Sequence, residues 1–192
     1  MHRLYKKAIT YLLSKDFLVT LLVLSIMLAI FWYMLWASQL SRRTILIEAL
    51  PDFTIYLTFG IVSGIIFAGR AFYSRSVKKK LKHTLEMFLG GFVLGFLSIV
   101  NSFDVYVYLF PDDVINYTSD YEIVFPGPPK GKTSRCEAGL WIRDVHTGQL
   151  KQLCTSRETL FKKRRQGMNE LWVTARINKL GTYIVDYRFT YK

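Results

Sequence analysis

The chain has 192 residues and little of what most chemistry requires: two cysteines, three histidines and five prolines. The histidines, His2, His83 and His146, are far apart in sequence, and no H-E-x-x-H, G-x-S-x-G, Walker or G-x-G-x-x-G pattern occurs. Gly127-Pro128-Pro129-Lys130-Gly131-Lys132-Thr133 ends like a phosphate loop. It lacks the leading glycine, however, and its prolines remove amides that would donate to phosphate. Two cysteines without a clustered histidine pair do not complete a structural zinc site, and the acids around Asp112-Asp113 do not alternate as calcium ligands do. No catalytic, cofactor or metal site is expected, and the chain is read as a non-enzyme.

Charge is missing where it would matter most. Three apolar runs, Phe17–Ala37, Phe53–Gly69 and Met87–Phe103, contain no charged side chain, and each approaches the roughly 20 residues that cross a bilayer core. Intramembrane acids, bases and proline breaks mark ion pathways and transporters, so their absence argues against both. At 21 residues the first run exceeds a signal-peptide core, and Trp36-Ala37-Ser38-Gln39 is not a cleavage site of the usual kind.

What is present is a strong asymmetry of basic residues. Arg3, Lys6, Lys7 and Lys15 precede the first run; Arg70, Arg75, Lys78, Lys79, Lys80 and Lys82 lie between the second and third. Only Arg42 and Arg43 follow the first. Such a bias places the N-terminus in the cytoplasm and the C-terminus outside. Of the formal charge of +12, nine units fall before residue 84, beside the expected cytoplasmic face. Arg3, Lys6, Lys7, Lys78, Lys79, Lys80 and Lys82 are therefore expected to meet anionic lipid headgroups rather than nucleic acid, for which no reader fold appears. Leu4, Tyr5, Ala8, Ile9, Leu12 and Leu13 recur at helical spacing opposite the first of these cations, the pattern of an interfacial amphipathic helix over 1–16.

The expected fold is an α+β membrane protein. A membrane domain (1–103), with spans at about 17–37, 53–73 and 85–103, precedes a small, disulfide-stapled, β-rich extracytoplasmic domain (104–192), periplasmic if the source is a Gram-negative bacterium. Gly60, Gly64 and Ala68 share one face of the second span, and Gly91 and Gly95 one face of the third. Small residues four apart let helices approach closely, so these two spans are expected to form an antiparallel hairpin. Presented to a second copy, the same faces would make an oligomer. Thr84 is expected to cap the third span.

Beyond Asp104 the periodicity becomes that of strands. Segments 104–110 and 121–125 are expected strands, 137–144 and 149–154 a hairpin around His146-Thr147-Gly148, and 171–177 with 182–192 a second hairpin. In the last strand Tyr183, Val185, Tyr187, Phe189 and Tyr191 form the expected inner face. Cys136 and Cys154 then stand nearly opposite each other. Outside a cytoplasmic membrane a bond between them would persist and, in the chain-entropy model, contribute roughly 3 kcal/mol. Thr155-Ser156-Arg157-Glu158 reads as a capping box opening a short helix that Gly167 ends, with Lys162, Lys163, Arg164 and Arg165 in its last turns. That basic run suits the helix dipole and is also the candidate surface for a partner.

The functional expectation is an integral membrane protein whose outward domain binds an unknown protein, as an accessory subunit of a membrane assembly. The alternatives are an inner-membrane immunity or exclusion protein and, more remotely, an enzyme at the membrane surface.

Overall fold

A computed structural model describes residues 15–74, 80–130 and 134–192. The expected amphipathic helix, and with it Arg3, Lys6, Lys7, Lys78 and Lys79, lies outside the described residues.

Three helices are long and apolar enough to cross a membrane: α1 (Lys15–Ser41), α2 (Asp52–Ser74) and α3 (Lys80–Ile99). At 1.5 Å per residue α1 reaches about 40 Å. The rest of the chain leaves most of it uncovered until Ala37 and Leu40, which are buried at its C-terminal end. α2 and α3 form a hairpin whose seam is made of glycines. A β-carbon on Gly64 would stand 2.9 Å from the Phe88 carbonyl oxygen, and one on Gly91 2.8 Å from the Phe67 β-carbon. Gly60 similarly faces Phe92, and Gly95 faces Ser63. Phe88, Phe92 and Phe96 stack along α3 at centroid spacings of 6.4 and 6.0 Å. α3 begins at Lys80, so Thr84 lies within it rather than capping it.

α3 ends earlier than the hydrophobic run does. Asn101 takes a left-handed backbone (φ 60°) and starts a separate helix, α4 (Ser102–Leu109). This overturns the expected strand at 104–110. Val105, Tyr106, Val107 and Tyr108 have strand-like propensity, but packing decides otherwise. Val107 is fully buried, and Val105 joins Ala37 and Leu40 of α1 in a small core with Tyr33 and Tyr108 beside it.

The remaining elements are β1 (Thr44–Leu46), β2 (Asp113–Val124), β3 (Ala138–Arg143), β4 (Leu150–Thr155), α5 (Arg157–Lys163), β5 (Glu170–Asn178) and β6 (Gly181–Thr190). They form one antiparallel sheet in the order β1-β6-β5-β2-β3-β4. β1 comes from the connection between α1 and α2 and pairs Ile45 with Thr182. A division at residue 103 thus separates the chain but not the sheet.

Long β2 pairs with β5 through its first eight residues and with β3 through its last four. One apolar core collects inner-face residues from all six strands, among them Ile45, Tyr117, Leu140, Leu153, Val173 and Ile184. In β5 the expected alternation holds, with Leu171, Val173 and Ala175 fully buried. In β6 it holds only in part. A register shift opposite Thr174/Ala175 leaves Val185 exposed and puts Thr182 and Ile184 on the core face, with Phe189 buried beyond the irregularity.

Candidate functional site

Three polar constructions stand out from the apolar scaffold, and the first is the turn between β3 and β4. Gly148 has φ +72°, which closes the turn where an L side chain would be strained. Asp144, completely buried, accepts four hydrogen bonds. Tyr117 donates from β2 (2.9 Å), Thr182 from β6 (2.8 Å), and Thr147 donates both its backbone amide (2.8 Å) and its hydroxyl (2.7 Å). Strands that are not neighbours in the sheet thus meet at one carboxylate. Burial, and then the adjacent Asp144 charge, push the Tyr117 phenol well above the ordinary tyrosine range. His146 Nε2 lies 3.0 Å from the Asn178 carbonyl oxygen, joining this turn to the β5–β6 turn. Sequence reasoning located the turn but missed the hub, because a lone aspartate beside a turn glycine looks like a solvated turn acid.

The second construction is the junction where the end of α1, the start of α2 and α4 meet the sheet. A cavity of about 370 Å³ is lined by Ser41, Thr44, Asp52, Asn101, Asp104 and Lys151, among others. Asp104 is only 5 % exposed. Lys151, reaching from β4, donates to the Ser41 carbonyl at 3.0 Å. Burial lowers the lysine's pKa and the charge of Asp104 opposes that shift. Beside the cavity, Tyr108 of α4 packs edge-on against Trp36 of α1 (6.3 Å) and Tyr183 of β6 (4.8 Å), with Arg176 of β5 over its ring (5.6 Å). The short helix thereby links α1 to the sheet.

The third lies along α5. Ser156 is the N-cap and accepts from the Thr159 amide at 3.1 Å, so the capping residue is one position later than expected. Glu158 does not reach back as a capping box requires; it pairs with Lys162 at 2.6 Å. The helix stops at Lys163, which leaves Arg164 as C-cap, Arg165 beyond it and Gly167 (φ +90°) in the following turn. The Arg164 Nε donates to the Tyr121 hydroxyl (2.7 Å), and its guanidinium lies 5.6 Å from that ring's centre. Arg157 sits likewise over Phe125, at 5.3 Å. Phe161 projects from the helix 92 % exposed.

Of the other residues singled out from sequence, Lys80 opens α3, and exposed Lys82 lies 3.8 Å from Glu86 one turn on. Ala68 is half-buried on α2. Cys136 and Cys154 form a disulfide with Cα atoms 5.6 Å apart, tying the segment before β3 to β4. Among the described residues no three His, Cys, Asp or Glu side chains converge as a metal site would require. Comparison with protein families, curated proteins and solved structures found no match to this chain.

Proposed function

We propose that this chain is a multi-pass protein of a cytoplasmic membrane, N-terminus inside and sheet outside, that acts as a non-enzymatic interaction module: an accessory subunit presenting its β domain to a protein partner. The observation that carries this reading is the pairing of β1 with β6. A domain joined by one flexible linker would leave its surface free to wander. Here two separate connections, β1 after α1 and α4 after α3, hold the sheet against the ends of the helices, which suits a surface presented at fixed height and orientation. The orientation rests on the basic bias: Lys15, Arg70 and Lys82 belong to the helix ends remote from the sheet, where anionic lipid at the cytoplasmic face would meet them.

Two measurements test the reading. Reporter fusions at the N-terminus, at Ser76 and at the C-terminus should report inside, inside and outside. A cytoplasmic C-terminal reporter would overturn the topology. Mild solubilisation and native purification should then yield a stoichiometric membrane complex. Isolation of the chain alone under every mild condition, together with protection of cells from one toxin, would assign it to immunity instead.

A further inference from the structure

The α5 region offers more than a basic run. A groove of about 740 Å³ lies between α5 and the end of β2, and its lining mixes Ile123, Phe125 and Phe161 with Arg157, Arg164 and Arg165. No carboxylate lines it. Glu158, next to Arg157, pairs with Lys162, and Glu137 accepts the Arg157 backbone amide at 3.0 Å. Among the described residues none of the three arginines has an ion-pair partner.

Two of these guanidiniums lie over aromatic rings, Arg164 also donating its Nε to Tyr121, and both arginines are exposed. A pre-oriented guanidinium loses little freedom on taking a carboxylate, and its forked donors match both carboxylate oxygens. Phe125 is 53 % exposed and Phe161 92 %, an uncommon exposure for two large rings flanking one groove. Aromatic and arginine side chains in one pocket are the usual composition of an interface hot spot. A lipid-inserting helix segregates its apolar residues below a cationic belt. Here cations stack on rings instead, Arg157 over Phe125 and Arg164 over Tyr121.

We infer that the groove formed by Phe125, Arg157, Phe161 and Arg164 receives an acidic segment of the partner protein, in which carboxylates flank a large apolar side chain. This inference rests on the interaction reading above and names the chemistry of the partner. The apolar side chain lodges between the two phenylalanines while its flanking carboxylates take the guanidiniums. Binding is salt-sensitive because the cations lie near the surface.

The test uses full-length protein in nanodiscs and a fluorescent synthetic peptide with leucines set among glutamates. The peptide should bind and weaken as salt is raised, whereas a twin with lysines for glutamates should not bind. Arg157→Glu with Arg164→Glu should weaken it by about tenfold or more. Phe161→Ser, at a position too exposed to affect folding, should weaken it as well. Absence of binding, equal binding of the lysine twin, or unchanged binding by both variants would overturn the inference. Quenching of a Phe161→Trp probe by brominated lipid would also overturn it, by assigning the surface to the bilayer. The interaction reading is judged separately. A native complex that survives these substitutions while the peptide fails to bind leaves that reading standing and moves the contact elsewhere on the sheet.

Discussion

Replacing Asp144 should unlatch the β domain more than any exposed substitution. Its carboxylate is wholly buried and accepts four hydrogen bonds, from Tyr117, Thr182 and, twice, Thr147. Hydrogen bonds to a charged acceptor contribute about 1.5–3 kcal/mol each, and a buried donor left unpaired costs about 1–3 kcal/mol. Against this stands the desolvation of the carboxylate itself, several kcal/mol that truncation would recover. Asp144→Ala strands the Thr147 amide and the hydroxyls of Tyr117 and Thr182, so the net loss should be about 3–5 kcal/mol, a large share of a small domain's stability. Asp144→Asn keeps the shape and one acceptor oxygen, and the hydroxyls can turn to accept from its amide, so it should cost only about 1–2 kcal/mol. Urea unfolding in detergent, followed by Trp141 and Trp172 with Trp32 and Trp36 replaced by phenylalanine, reads the sheet alone. An Asp144→Ala loss below about 1 kcal/mol, the range of an ordinary surface change, would refute the hub. So would an asparagine variant as damaged as the alanine one.

Three further outcomes follow from the structure. Because burial and Asp144 raise the Tyr117 pKa, the unfolded chain gives up this proton first. The group's contribution is therefore complete below about pH 10 and declines above it, and Tyr117→Phe should flatten that alkaline loss in urea titrations. Gly64→Leu should lower thermal stability in detergent by forcing α2 and α3 apart, whereas Gly69→Leu, where a β-carbon meets nothing within 4 Å, should change little; equal effects would discount the seam. Cys136→Ser with Cys154→Ser should cost the β domain about 2–5 kcal/mol and raise its protease sensitivity while the helices stay protected; free thiols in unreduced wild-type protein would contradict this.

The three long helices and the β5–β6 hairpin were legible in the sequence because single local signals specify them: uninterrupted apolarity for the first, period-two alternation for the second. What escaped was set by distant partners. β1 is three residues long and is a strand only because Gly181–Tyr183 lies beside it. Residues 102–109 carry strand-like side chains yet coil into α4, since helix geometry lets Val105 meet α1 while Tyr108 meets Tyr183. The phase of β6 slips at an irregularity that no composition announces. In the candidate groove, the basic run was visible from sequence. The partners that shape it, Tyr121 in β2 and Phe125 just after it, lie more than thirty residues earlier and are reached only through the fold.

The pairing of β1 with β6 also constrains how this protein can be made. Once made, β1 waits for β6, about 135 residues later. All three long apolar helices are synthesised before the sheet can close. A chain that stops short of residue 181 leaves β1 and one edge of β5 as unpaired strands, the exposed edges that invite aggregation and proteolysis. Synthesis through β6 is thereby built into the fold as a condition for a closed sheet.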